Sequence, residues 1–122
     1  MTNRHVQTLS RRVEVPVIPL DDVIRDRPVD FIKIDVQGWE MEVLRGMTGA
    51  MERNAALRIY FEYWPRGLKH AGCQPLEILT FLHERGFRLL ADDGVRAIAA
   101  SEFRAFGQSI SGNRFVNLLA MR

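Results

Sequence analysis

Apolar residues run almost unbroken through Phe31-Ile32-Lys33-Ile34-Asp35-Val36, the strongest strand signal in the chain. A continuous run of this kind fits a parallel strand buried on both faces. Gln37-Gly38 then turns the chain. From Trp39 to Arg53 the period changes, and Val43, Leu44, Met47 and Met51 form an apolar stripe at helical spacing. Gly46 and Gly49 weaken that helix and predict an early break. Leu57–Trp64 reads as a second strand, stopped by Pro65 and Gly67. Gln74-Pro75 opens another helix with proline at its first position. Its apolar side is Leu76, Ile78, Leu79, Phe81 and Leu82, and Gly86 closes it. Phe87–Ala91 is a third strand, followed by a turn at Asp92-Asp93-Gly94. Residues 95–113 are weakly patterned apart from Phe103 and Phe106, and Phe115–Met121 forms a last strand.

Upstream, Val13–Leu20 is β-rich but carries Pro16 and Pro19, which cannot donate to a ladder. It belongs at a sheet edge or in an extended arm. Asp21–Arg25 reads as a helical turn with Asp21 as its N-cap. Residues 1–12 are polar and expected to be flexible, leaving 13–122 as one domain. Strand, helix, strand, helix, strand is an α/β pattern: a mostly parallel sheet with helices packed on it. The last strand has no helix before it and is free to insert antiparallel.

Composition narrows the function classes. Apolar residues are 47% of the 122 and charged residues 26%, which excludes disordered and fibrous chains. No apolar run approaches the roughly 20 residues of a membrane span. Seventeen basic and 15 acidic residues give a net charge of +2, too balanced for a dedicated nucleic-acid binder. The lone Cys73 excludes an internal disulfide and a cysteine-rich zinc site, and points to a reducing cytoplasm. It precedes a helix, where a thiolate could be stabilised, but a single cysteine also reads as a small buried residue. His5, His70 and His83 have neither triad nor metal spacing, so no metal site is implied and a small hydrolase is the weakest reading.

The candidate chemistry lies where strands end, because ligands of open α/β sheets bind beyond the carboxyl ends. Asp35 and Glu62 stand at two such ends. Glu40, three, four and seven residues before Val43, Leu44 and Met47, shares the buried stripe of its helix. A charge there needs a partner or a purpose: it caps free amides or takes part in chemistry. Asp35 could likewise cap the turn. Lys33 falls on the same sheet face as Asp35, as an ion-pair partner or a proton carrier. Of Tyr60, Phe61, Tyr63 and Trp64, alternation sends two into the core and two over the cleft.

The run Val29-Asp30-Phe31-Ile32-Lys33-Ile34-Asp35-Val36-Gln37-Gly38-Trp39-Glu40, followed by Val43-Leu44-Arg45-Gly46, resembles the signature of FkbM-type methyltransferases. Leu20-Asp21-Asp22 resembles that family's Leu-Asp-Asp element, and Glu62 its acidic residue closing the next strand. Gln37 stands where the family has glutamate, and Trp39 where it has a small residue. The resemblance implies an S-adenosylmethionine-dependent, mostly O-methylating enzyme on a Rossmann-like sheet. It implies Asp35, Glu40 and Glu62 as catalytic residues. Asp35, Gln37 and Gly38 would lie against the cofactor, and Lys33, Trp39 and Trp64 against a small-molecule acceptor such as a sugar hydroxyl.

The same resemblance exposes a gap. Such enzymes bind their cofactor on a glycine-rich turn, yet no two of the nine glycines are separated by a single residue. The chain therefore matches the C-terminal half of the domain, an incomplete Rossmann-like sheet expected to bind S-adenosylmethionine poorly alone. Two strands that would neighbour Phe31–Val36 are missing from the pattern, leaving an open apolar edge that templates pairing. The expectation is that Val13–Leu20 folds into the vacant slot or that a second chain, identical or different, pairs there. The alternative function is a non-catalytic remnant that oligomerises or binds a partner through that edge.

Overall fold

The computed structural model describes residues 10–122. Its elements are α1 (Leu20–Ile24), β1 (Phe31–Ile34), α2 (Glu40–Arg45), α3 (Thr48–Arg53), β2 (Arg58–Tyr63) and α4 (Pro65–His70). They continue with α5 (Pro75–Glu84), β3 (Arg88–Ala91), β4 (Arg96–Ile98), a 3-10 turn (Ala100–Glu102), α6 (Phe103–Ser109) and β5 (Val116–Met121). The sheet order is β1-β2-β5-β3-β4. Of the segment expected to be flexible, residues 1–9 lie outside the described ones, and 10–12 carry no regular structure.

The sheet is not mostly parallel. Only β1 and β2 run parallel, Ile34 beside Phe61, while β2·β5, β5·β3 and β3·β4 are antiparallel. The reason is β5, which inserts antiparallel against both β2 and β3 although a helix, α6, precedes it where the sequence pattern shows none. β3 then turns, at the residues the sequence predicts, into β4, a short strand that the pattern does not announce. Its turn at Asp92, Asp93 and Gly94 has all three residues in the left-handed region.

Alternation divides the sheet cleanly. Ile34, Ile59, Phe61, Tyr63, Leu89, Leu118 and Ala120 join one core with Leu44 of α2, Met51 of α3, Leu68 of α4 and Leu79 of α5. The opposite face carries Phe31, Lys33, Tyr60, Glu62, Leu119 and Met121, all partly or fully exposed. β1 is therefore not buried on both sides: it is the outer strand, with Phe31 54% exposed. Val13–Pro19 does not fill the place beside it. That segment forms no strand, and Val17 is 91% exposed. Its prolines cannot donate to a ladder, and its end, from Val17 to Pro19, lies along the surface beside Trp39 and Gly46.

The expected helix over Trp39–Arg53 breaks at Gly46-Met47 into α2 and α3. Asp21 holds the break. It does not cap its own helix, whose N-cap is Pro19. Its carboxylate instead accepts from Gly49 N at 2.8 Å and Ala50 N at 2.9 Å, the free amides of α3, and its own N–H donates to Gly46 O at 2.9 Å. Asp21→Ala is expected to lower stability by about 1–2 kcal/mol, with Asp21→Asn losing less, as read by urea denaturation. A loss under a few tenths of a kcal/mol would show that α3 starts without this cap.

Candidate functional site

β1 and β2 lie side by side and parallel, so their carboxyl ends open on one rim of the sheet. Asp35 follows β1 directly. Glu62 is one position past Phe61, the partner of Ile34, so extending the register sets Asp35 beside Glu62. Between them and α2 the chain must reverse within Val36–Trp39. It does so through two successive left-handed residues, Gln37 at φ 51° and Gly38 at φ 102°. Gln37 is not glycine, and that conformation holds a side chain only where surroundings over-determine it. Here its Nε2 donates to Asp35 Oδ1 at 2.9 Å, fixing the carboxylate's orientation.

Gly38 is required for a second reason. A Cβ there would meet the carbonyl oxygen of Gly67 at 2.6 Å. The turn packs backbone to backbone on α4, where the indole ring of Trp64 covers Gly67. The indole Nε1 of Trp64 donates to Asn113 Oδ1 at 3.1 Å, tying the end of β2 to the loop before β5.

Glu40 opens α2 and is buried, 1% exposed. Its Oε2 accepts from Gly38 N at 3.0 Å, an amide of the preceding turn and not one of the free amides of α2, so that oxygen braces the turn instead of capping the helix. Its Oε1 is buried without a hydrogen-bond partner among the described residues. Leaving such an atom unpaired is costly, and α2 still places it inside. Glu62 senses both neighbours. Lost hydration raises its pKa first, and the charges of Asp35 and then Glu40 raise it further. Three carboxylates thus meet electrostatically at one rim.

The other candidates fall around it. Lys33 is exposed on the bare face and forms no ion pair among the described residues, contrary to the ion-pair reading. Trp39 is 56% exposed and lines an apolar cavity of about 650 Å³ with Ile18, Leu20, Val36 and Val43. Phe61 and Tyr63 are fully buried while Tyr60 and Trp64 are half-buried, as strand alternation requires. Cys73 is buried beside Glu77, and burial ahead of that carboxylate pushes its pKa to about 11. It is a neutral thiol, not a stabilised thiolate. No group of three or more His, Cys, Asp or Glu with metal-holding geometry exists among the described residues. No helix among them is long and apolar enough to cross a membrane. Sequence reasoning missed Asn113, which carries no pattern of its own, and the α3 cap by Asp21, whose span of 28 residues hides it.

Among comparisons with known proteins, the family model described as the methyltransferase FkbM domain matches residues 1–89. No curated protein and no solved structure matches the chain.

Proposed function

The chain belongs to the FkbM methyltransferase family, and on that premise we propose that the rim formed by Asp35, Glu40 and Glu62 serves S-adenosylmethionine-dependent O-methylation of a small-molecule hydroxyl. The observation that carries this reading is the raised pKa of Glu62 between two further carboxylates at paired parallel strand ends. A carboxylate with raised basicity suits removal of a hydroxyl proton as the oxygen is methylated. Asp35, held by Gln37, orients that hydroxyl. Glu40 positions the turn through Gly38 rather than touching the acceptor. Trp39 and Trp64, on either side, offer aromatic surface to it.

The fit to the cofactor is partial. The carboxylates suit the cationic sulfonium and ammonium end of the methyl donor, which supplies the methyl group when bound. Gly38 offers no cradle for the adenosine end, because its open side is filled by Gly67. We therefore assign that end to a glycine-rich element that these 122 residues do not contain. Calorimetry with S-adenosylmethionine is expected to give a dissociation constant weaker than about 0.1 mM for this chain. A constant near 1 μM would show that the chain holds the whole cofactor site.

One observation favours a second reading, a binding module without catalysis. Arg58 N donates to Asp30 O, so the peptide groups of Phe31 and Lys33 alternate outward from β1. The edge carries Lys33 and Asp35 at successive outward positions. A second copy pairing antiparallel about Ile34 sets Lys33 against the partner's Asp35, twice, and Ile32 against the partner's Val36. Light scattering is expected to show a dimer that Lys33→Glu dissociates and Lys33→Glu with Asp35→Lys restores. A monomer throughout sinks this pairing.

A further inference from the structure

Beyond the carboxylate rim, α4, the start of α5 and α6 enclose a second cavity of about 680 Å³, within the range of small-molecule sites. Its apolar wall includes the buried Tyr63, Phe103 and Ile110. Its charged groups are all cationic: Arg66, Lys69 and Arg104, with no carboxylate among the lining residues. Arg66 and Lys69 are three apart on α4 and so share a face. None of the three cations forms an ion pair among the described residues. Three exposed cations line one hollow with no carboxylate among them, so an anion entering it meets a positive wall. The N-terminus of the ten-residue α5, at Pro75 and Leu76, adds its partial positive charge to the same wall.

We infer that this cavity binds a small organic anion, a phosphate or carboxylate carried on an apolar or aromatic body. The anion sits between Arg66, Lys69 and Arg104, and the body rests on Pro75, Leu76 and the accessible edges of Phe103 and Ile110. The cavity is separate from the family's signature. None of its lining residues belongs to the Lys33–Gly46 signature; Arg66 and Lys69 fall within the matched residues 1–89, and Phe103, Arg104 and Ile110 lie beyond them. The inference therefore stands whether or not the carboxylate rim transfers methyl groups, and its test measures binding alone.

The test is a nitrogen-15 amide titration of the 122-residue chain with three probes sharing one ring: phenyl phosphate, benzoate and benzyl alcohol. The two anions are expected to shift the amides of Leu76, Gly107 and Ser111, and the neutral alcohol to shift none of them. Arg66→Ala and Arg104→Ala remove exposed side chains and should leave the amide spectrum folded. Each is expected to weaken anion binding by about tenfold, the scale of one charge-assisted hydrogen bond. Tighter binding of phenyl phosphate than benzoate identifies the phosphate class, and the reverse the carboxylate class. Equal binding of benzyl alcohol, absence of shifts with both anions, or unchanged affinity in both variants overturns the assignment.

Discussion

Gly38→Ala is expected to destabilise the fold by about 3 kcal/mol, lowering the melting temperature by about 10 °C or more. Two costs add. The residue sits at φ 102°, where an L side chain is strained by about 1–2 kcal/mol. The new Cβ would also stand 2.6 Å from the Gly67 oxygen and 2.9 Å from its carbonyl carbon. Both are backbone atoms, which no rotamer change can move aside. Gly72→Ala separates the two contributions. Its φ is 85°, yet nothing lies within 4 Å of a Cβ there, so only strain remains. That variant should lose about 1 kcal/mol. Equal losses at the two positions in thermal melts would mean that the turn does not press on α4. The consequence for the site is direct: if Gly38 moves, the amide that binds Glu40 and the Gln37 that holds Asp35 move with it.

Much of this arrangement is legible in the sequence because it is local. The Phe31–Asp35 run, the Gly38 turn and the helical phase of Glu40 depend on neighbours within a few residues, and each falls where periodicity puts it. Trp39–Arg53 shows the limit. Gly46 announces a break, but the partner that stabilises it, Asp21, comes from another helix. Strand order fails for a related reason. β5 is readable as a strand, and as free to run antiparallel. Its place between β2 and β3 is set by long-range pairing of Leu118 with Phe61 and Ala120 with Leu89. That placement separates strands that the pattern alone makes parallel neighbours. Pro65 and Gly67 look like stops, yet Pro65 is the first residue of α4, where its missing N–H costs nothing. The segment 95–113 hides β4 and α6 because each is short. It hides the basic cavity too, because Arg104 meets Arg66 and Lys69 only through the tertiary fold.

Glu62→Gln is expected to reduce methyl transfer by at least about 100-fold, measured with a tritiated methyl donor and a panel of hydroxylated acceptors, with the glycine-rich element supplied. The substituted amide keeps the shape of the side chain and loses only its basicity, so circular dichroism should be unchanged. The pH dependence has a definite sign. Acting as a base, Glu62 must be ionised, so the rate rises with pH through its raised pKa. Asp35→Asn removes one of the two charges that raise it, and this limb moves to lower pH. Stability runs the other way. A carboxyl whose folded pKa exceeds its unfolded one stabilises the fold fully below the unfolded value, and that contribution is lost as pH rises through the folded value. Glu62→Gln therefore flattens this part of the stability profile. Carbon-13 titration of the Glu62 carboxyl reads the same pKa without any acceptor. A normal Glu62 pKa, unmoved by Asp35→Asn, would separate the three carboxylates and leave the rim without its base.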